Sequence, residues 1–329
     1  MSVRVGELSE AKLLARILPR LRPAEVATVG PGDDAAVLSV SDGSVVISID
    51  TLVENLDFKL SRANGHETSG FDVGWKAAAQ NLSDINAMGA RPTSLLVSLT
   101  LPPQTCAMWV EDLADGIGAA LTELGAEQGG VAGGDLGGGG DLSVTIAATG
   151  TLDARLPVLR SGARPGDVVA IAGTVGRAAA GFALMESSYR PDELDVEMLD
   201  LVDAQRRPRP PLDAGPAAAA AGATAMLDLS DGLLRDANRI ATASGVLINL
   251  DARVVSTLSD TLRTAAGLLR TDPEEWVLTG GEDYGILATF PADRELPPGF
   301  GIIGTVLDGN GVSVDSKRCS TLGWDHFAG

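Results

Sequence analysis

Cysteine, histidine and aromatic residues are scarce in this sequence. Its 329 residues include two cysteines, two histidines and 4% aromatic residues. Neither Cys106 with Cys319 nor His66 with His326 has the spacing of a zinc site. Ser230 lies in no GxSxG motif, and two histidines offer little choice of a general base, so a serine hydrolase is not expected. The sequence therefore predicts ordinary reduced thiols and no zinc centre.

Long hydrophobic runs are also missing. The longest weakly polar runs, 95–102 and 217–227, are much shorter than the roughly 20 residues that span a bilayer. The first predicted helix, within 7–21, carries Glu7 and Glu10, unlike the uncharged core of a secretory signal. We therefore expect a cytoplasmic protein with no membrane partner.

Basic residues are outnumbered. Lys and Arg total 25 against 44 Asp and Glu, a formal net charge of -19. Such a surface repels nucleic acid and anionic lipid, so no nucleic-acid partner is expected. An acidic protein can still bind a polyphosphate when divalent cations lie between its carboxylates and the phosphate oxygens.

Apolar spacing and turn residues predict a two-domain protein of the α/β class, with mixed α+β character. A loose stretch from Asp153 separates an N-terminal domain, 1–152, from a C-terminal domain, 153–329. Strands and helices alternate in both, and a strand hairpin is expected from 35–40 and 44–49. The polar, proline-rich segment 189–212 is expected to be at least partly surface loop. The GxGxxG at 299–304 is expected to be strand and turn, because no helix follows it.

Acidic residues recur in short motifs next to glycines or predicted strand ends. They are Asp34 in GPGDDAAVL, Asp50 in VVISIDTLV, Asp84 in NLSDINAMGA, Asp135 in VAGGDL, Asp228 and Asp231 in LDLSDGLL, and Glu282 and Asp283 in TGGEDYG. Asp50 is expected to end a strand, and Asp135 to follow a glycine turn. Such positions let side chains converge on a ligand.

Any single aspartate of this set can be a turn or helix N-cap residue. Several oxygen donors without His or Cys favour a hard cation such as Mg²⁺, shared with substrate phosphates. There is no P-loop motif and no credible covalent nucleophile. Arg160 is either a clamp on phosphates or an exposed loop residue, and Trp324 either stacks on a substrate ring or anchors the core.

The motifs together resemble a known enzyme family. GPGDDAAV, SIDTLVENLDF, NLSDINAMGARP, GGDL, RSGARPGD, LDLSDGL, TGGEDYGIL and GWDHF occur in this order over nearly the whole chain. In this respect the sequence resembles the thiamine-monophosphate kinases of the aminoimidazole ribonucleotide synthetase-like superfamily. The resemblance implies transfer of the γ-phosphoryl group of ATP to thiamine monophosphate with several Mg²⁺ ions. It also implies a homodimer paired through the N-terminal sheet, and a C-terminal mixed sheet with packed helices.

The resemblance further implies roles for individual residues, none of them a covalent nucleophile or essential base. Implied metal ligands are Asp34, Ser48, Asp50, Asp84, Asp135, Asp228 and Asp231, with Ile49 contributing only its backbone carbonyl. Implied nucleotide contacts are Gly134, Asp135, Arg160 and Ser230. Implied substrate contacts are Glu282, Trp324 and Asp57, where Asp57 replaces the His usual in the family.

Other functions stay open at this point. The chain could be another ATP-using enzyme of the superfamily, such as an aminoimidazole ribonucleotide synthetase or a selenophosphate synthetase. The first cysteine of the sequence is Cys106, and the lack of a cysteine near the N-terminus counts against selenophosphate synthesis. A non-catalytic partner like the hydrogenase-maturation relative would need a C-terminal cysteine, and Cys319 is followed by ten residues. A simple divalent-ion binder would be expected to show EF-hand spacing, which is absent.

Overall fold

The computed structural model describes residues 3–4, 7–8, 10–29, 37–40, 43–319 and 323. These residues form two compact units. The first comprises Met1–Ile85 and Ala90–Ala154, and the second comprises Asn86–Gly89 and Arg155–Gly329. Both contain helices and strands, which confirms the predicted α/β class.

The first unit is built from strands that alternate with helices. Its strands are β1 (Ala27–Val29), β2 (Val37–Leu38), β3 (Val46–Val53), β4 (Arg91–Leu101), β5 (Val131–Gly138) and β6 (Ser143–Thr151). Its helices are α1 (Glu10–Ile17), α2 (Gly70–Ala87, whose last two residues group with the second unit) and α3 (Ala107–Glu123). A short 3₁₀ helix, Leu18–Arg20, follows α1.

The main sheet of this unit has the strand order β3-β6-β4-β5. The strands pair antiparallel except β4 with β5, which are parallel. Burial alternates along β6, where Val144, Ile146 and Ala148 are buried and their neighbours are partly exposed. One face of the sheet is therefore covered and the other is open, as expected for a strand with period-two patterning.

Helices α2 and α3 cross at very short range through glycines. A Cβ atom on Gly74 would lie 2.0 Å from the Leu113 carbonyl oxygen, and one on Gly116 would lie 2.1 Å from the Phe71 carbonyl oxygen. Only glycine permits this approach, because any side chain would overlap backbone. The crossing fixes α2, which carries Asp84.

The predicted hairpin between 35–40 and 44–49 is wrong. Residues 37–38 pair with β1 in a separate two-stranded sheet, whereas β3 pairs with β6 almost 100 residues later. The turn signal at Asp42-Gly43 is local, but strand pairing is decided by which neighbours bury the apolar side chains.

The second unit contains a larger sheet with helices on both faces. Its strands are β7 (Val168–Ala172), β8 (Ala225–Asp228), β9 (Leu247–Leu250), β10 (Ile286–Phe290), β11 (Phe300–Leu307), β12 (Gly311–Val314) and β13 (Lys317–Arg318). Its helices are α4 (Arg177–Glu186), α5 (Val196–Arg206), α6 (Ala214–Ala221), α7 (Leu233–Ser244), α8 (Ala252–Ser259), α9 (Arg263–Leu269) and α10 (Pro273–Thr279). The 3₁₀ helices are Pro191–Glu193 and Asp260–Leu262.

This second sheet is mixed, as predicted. Its order is β13-β12-β9-β11-β7-β10-β8, and β12 runs parallel to β9 while the other pairs are antiparallel. Along β7, Val169 and Ile171 belong to one buried cluster and Ala170 and Ala172 to another. Both faces of the sheet are therefore covered, which explains why the sequences of β7 and β10 are almost entirely apolar.

The segment 189–212 is loop in part, as predicted, and it also contains α5. Asp195 caps this helix by accepting a hydrogen bond from the Met198 N–H at 2.9 Å. Met198, Leu201 and Val202 are buried in the core of the unit. The sequence did not indicate α5, because its charged residues obscure this narrow apolar stripe. The GxGxxG region is strand β11 and its preceding turn, as predicted.

Every helix in the described part of the chain is too short or too polar to cross a membrane.

Candidate active site

Ser48, Asp50 and Asp84 lie on the covered side of the first sheet. Ser48 and Asp50 are two residues apart on β3 and so share a face, and the Ser48 hydroxyl donates a hydrogen bond to the Asp84 carboxylate on α2. Ile49 faces the other way and its side chain is 64% exposed. The prediction that Asp50 ends a strand is wrong, because β3 continues to Val53.

Asp135 lies elsewhere in the same unit. It is in the middle of β5, so the predicted glycine turn is wrong, and Gly134 pairs with Val97 of β4. Strands β6 and β4 separate β5 from β3, a distance of about 14 Å at about 4.8 Å per strand.

Asp135 and Asp50 also lie on opposite faces of the first sheet. The register from Asp135 through Ser98 and Thr145 reaches Thr51, the neighbour of Asp50. Residues paired in this way share a face, whereas adjacent residues of a strand do not. The sheet of this unit therefore does not bring Asp135 to the Ser48, Asp50 and Asp84 group.

Four of the other predicted site residues are not part of the Ser48, Asp50 and Asp84 group as the structure describes it. Asp34 and Trp324 lie outside the described residues. The Asp57 carboxylate accepts a hydrogen bond from the Val53 N–H at 2.8 Å, so it closes the turn after β3. Arg160 is exposed, and its backbone carbonyl accepts a hydrogen bond from the Ser244 hydroxyl at 3.2 Å.

In the second unit, the motifs LDLSDGLL and TGGEDYG lie side by side. Strand β8 ends at Asp228, which pairs with Ile286 at the start of the antiparallel strand β10, so the adjoining loops meet. The Glu282 N–H donates to the Ser230 carbonyl at 2.9 Å. A Cβ atom on Gly281 would lie 2.3 Å from the same oxygen, so this contact requires glycine.

Asp231 is held by a partly buried ion-pair cluster. Arg239 of α7 forms salt bridges with Asp231 and with Asp236, and the Asp231 N–H donates to the Asp236 carboxylate at 3.0 Å. Burial raises the pKa of Asp236 to about 6, although the Asp231 N–H and Arg239 lower it. Asp236 and Arg239 were not predicted from the sequence. Their spacing of three residues on one helix is the feature that could have indicated an ion pair.

The adjacent acids Glu282 and Asp283 have different surroundings. Asp283 is buried and accepts hydrogen bonds from the N–H groups of Gly176, Arg177 and Ala178, at 2.7, 3.1 and 3.3 Å, and from the Thr174 hydroxyl. Burial raises its pKa to about 6 against the effect of these donors. Asp283 therefore anchors the N-terminus of α4, a role its sequence motif did not indicate.

The side chain of Glu282, unlike that of Asp283, is partly exposed. Its φ is 68°, a left-handed conformation that a non-glycine residue adopts rarely. Its carboxylate accepts a hydrogen bond at 2.7 Å from the amide of Gln205 on α5. The sequence offered no signal for Gln205, because α5 itself was not predicted.

The donor chemistry fits a hard cation. The first unit presents a hydroxyl oxygen from Ser48 and carboxylate oxygens from Asp50 and Asp84, and the second unit presents carboxylate oxygens from Asp228 and Asp231. Oxygen ligands of this kind suit Mg²⁺ shared with phosphates. Within the described residues, no three Asp, Glu, His or Cys side chains by themselves form a metal site.

Two matches to family models cover most of the chain. Residues 32–152 match the N-terminal domain of AIR synthase related proteins, and residues 164–317 match their C-terminal domain. The fold and its acidic loops thus define an AIR synthase related protein.

Comparison with individual known proteins shows to which family within this class the chain belongs. The chain is 42% identical to the thiamine-monophosphate kinase of Mycobacterium tuberculosis, over 99% of this chain and 94% of that protein. It is 37% identical to that of Corynebacterium glutamicum, over 98% and 95% of the two chains. It also resembles an Aquifex aeolicus structure described as AaThiL complexed with AMPPCP and TMP, with TM-score 0.77, 32% identity, and coverage of 99% and 100%. The chain belongs to the thiamine-monophosphate kinase family.

Proposed function

We propose that this protein transfers the γ-phosphoryl group of ATP to thiamine monophosphate, forming thiamine diphosphate and ADP. The observation that carries this proposal is its similarity, over nearly the whole chain, to thiamine-monophosphate kinases. A structure of one such kinase is described as holding an ATP analogue and TMP. The same similarity disfavours the other superfamily activities and the non-catalytic hydrogenase-maturation role.

The reaction is a direct transfer between two bound substrates. A phosphate oxygen of thiamine monophosphate attacks the γ-phosphorus of ATP, the bond from that phosphorus to the β,γ-bridging oxygen breaks, and ADP leaves. The acceptor phosphate is already ionised near neutral pH, so no strong general base is needed. The task of the protein is to position the two substrates and to stabilise charge.

We further propose that Mg²⁺ ions are held by the acidic motifs of both units. Bound Mg²⁺ would neutralise the phosphate oxygens of the two substrates. The proposed ligands are the side chains of Asp34, Ser48, Asp50, Asp84, Asp135, Asp228 and Asp231, with the Ile49 carbonyl. The hydrogen bond from Ser48 to Asp84 supports this assignment, because it brings two of these oxygen donors together.

The remaining assignments concern the two substrates, each of which is proposed to contact residues of both domains. Gly134, Asp135, Arg160 and Ser230 are proposed to contact the nucleotide, and Asp57, Glu282 and Trp324 the thiamine substrate. Gly323, which precedes Trp324, supports this: a Cβ atom there would lie 2.3 Å from the Asp231 carbonyl oxygen. A cytoplasmic location without nucleic-acid or membrane partners stays a prediction from composition.

The proposed reaction is tested by incubating the purified protein with γ-labelled ATP, Mg²⁺ and thiamine monophosphate. We expect labelled thiamine diphosphate and ADP, and no reaction with free thiamine as the acceptor. Incubation with ATP alone should leave the protein unlabelled, since no nucleophile is proposed. No thiamine diphosphate from both substrates would contradict the function, and labelled protein would contradict direct transfer.

We also propose a homodimer formed through the first sheet. Strand β3 is at the edge of this sheet, and Ile47 and Ile49 on its open face are 72% and 64% exposed. Leu96 of β4 is on the same face and is 42% exposed. An open apolar face on a strand that lies at the edge of the sheet among the described residues is typical of a surface that a second subunit covers.

Replacing Ile47 with Asp is expected to dissociate this dimer. The carboxylate would be buried without a partner in the interface, at a cost of several kcal/mol. Analytical ultracentrifugation at micromolar concentration should show twice the chain mass for the wild type and a single chain for Ile47→Asp. The matched control is Leu156→Asp, since Leu156 is 86% exposed in the second unit. A monomeric wild type would refute the dimer.

A further inference from the structure

Gln205 is a buried polar residue beside the proposed substrate site. Only 6% of its surface is exposed, and its Nε2 donates a hydrogen bond to Oε2 of Glu282 at 2.7 Å. The two residues are 77 positions apart in the chain. Its carbonyl oxygen, Oε1, is buried with no hydrogen-bond partner among the described residues.

Stability alone does not explain an amide at this position. A buried carbonyl without a partner costs free energy, and a methionine of similar length would fill the space at no such cost. Half-satisfied buried polar groups in native proteins call for another explanation, often a functional one. The hydrogen bond to Glu282 is the feature of Gln205 that a methionine cannot supply.

The helix that carries Gln205 is fixed against the loop that carries Glu282. Asp283, the next residue, binds the first N–H groups of α4. Helix α5 packs tightly on α4, because a Cβ atom on Gly181 would lie 2.0 Å from the Leu201 carbonyl oxygen and 3.1 Å from Gln205 Cβ. The amide of Gln205 on α5 in turn donates a hydrogen bond to Glu282. The loop is therefore bonded to α4 through Asp283 and to α5 through Glu282.

The Glu282 backbone is itself held in a strained conformation. Its φ of 68° and that of Tyr284, 54°, place two non-glycine residues of one loop in the left-handed region. The N–H groups of these residues donate to the carbonyls of Ser230 and Leu229 at 2.9 and 3.0 Å. Such strain persists where the surroundings impose it and is concentrated at functional sites.

We propose that Gln205 is a positioning residue that orients the Glu282 carboxylate toward the cationic thiamine part of the substrate. This inference rests on the proposed function. The hydrogen bond involves a charged acceptor and is therefore among the stronger kinds. Because Gln205 acts through Glu282, its loss should weaken use of thiamine monophosphate and leave use of ATP unchanged.

The test compares Gln205→Met, Glu282→Gln and the double variant in steady-state assays with both substrates. Gln205→Met should raise the KM for thiamine monophosphate roughly ten- to a hundredfold and leave the KM for ATP within about twofold. Its Tm should stay close to that of the wild type, because removal of the unpaired carbonyl offsets the lost hydrogen bond. The double variant should be no worse than Glu282→Gln alone, because the two residues act as one unit.

Val202→Ala is the matched control for damage to α5. Val202 is 1% exposed and lies one turn before Gln205, so its truncation should lower Tm by roughly 5 °C without a selective change in either KM. The inference is overturned by an unchanged KM for thiamine monophosphate in Gln205→Met, by equal losses for both substrates, or by additive effects in the double variant. An inactive wild type would instead overturn the proposed function, and this inference with it.

Discussion

Asp84→Asn is expected to lower kcat by roughly 10²–10³-fold while the protein stays folded. The substitution keeps the size of the side chain but removes the negative charge that faces Ser48 on the covered side of the sheet. In the proposed reaction this carboxylate would help to hold Mg²⁺, which would offset the negative charge of the phosphoryl group during transfer. Asp228→Asn, at the end of β8, should have a similar effect.

The measurement is kcat at saturating ATP and thiamine monophosphate over a range of Mg²⁺ concentrations, together with Tm. The control is Glu127→Gln, which removes one exposed negative charge from the turn before β5 and should leave kcat unchanged. Full wild-type activity in excess chelator would contradict the metal requirement. Normal turnover in Asp84→Asn and Asp228→Asn would remove both residues from the proposed site.

Asp283→Ala is expected to cause the largest loss of stability. It leaves the N–H groups of Gly176, Arg177 and Ala178 and the Thr174 hydroxyl without their common acceptor. Removal of a buried helix cap with several donors should cost about 3–5 kcal/mol. For a unit of this size, that lowers Tm by roughly 6–20 °C.

The control for Asp283→Ala is another aspartate that caps a helix at the surface. Asp251 is exposed and accepts a hydrogen bond from the Arg253 N–H at 2.8 Å at the start of α8. Because water can replace an exposed cap, Asp251→Ala should cost only about 1 kcal/mol. Thermal unfolding followed by circular dichroism compares the two variants, and equal Tm losses would show that Asp283 is not the anchor of α4.

The sequence alone identified the features that depend on local order. Apolar spacing and turn residues predicted alternating strands and helices, and the GxGxxG segment was correctly predicted as strand and turn. The order of the acidic motifs indicated the family that the full-length relatives show. Such features are readable because side-chain periodicity and short motifs lie within a few residues of one another.

The partners of the strands could not be predicted from the sequence. Residues 37–38 and β3 flank a good turn signal, yet they pair with different partners, because pairing depends on distant apolar surfaces. The glycine-rich β5 was missed for a related reason. Its residues have low strand propensity, and its parallel pairing with β4 decides its conformation.

The chemical roles of neighbouring acids were likewise decided by the tertiary structure. In the sequence, Glu282 and Asp283 are equivalent members of one motif, but the fold turns Asp283 to an α4 terminus 107 residues away and Glu282 to Gln205. The sequence by itself determined the α/β class, the oxygen-donor chemistry and the family. The fold decided which acid is buried as a helix anchor and which stays partly exposed, because burial and hydrogen-bond partners come from residues far apart in the chain.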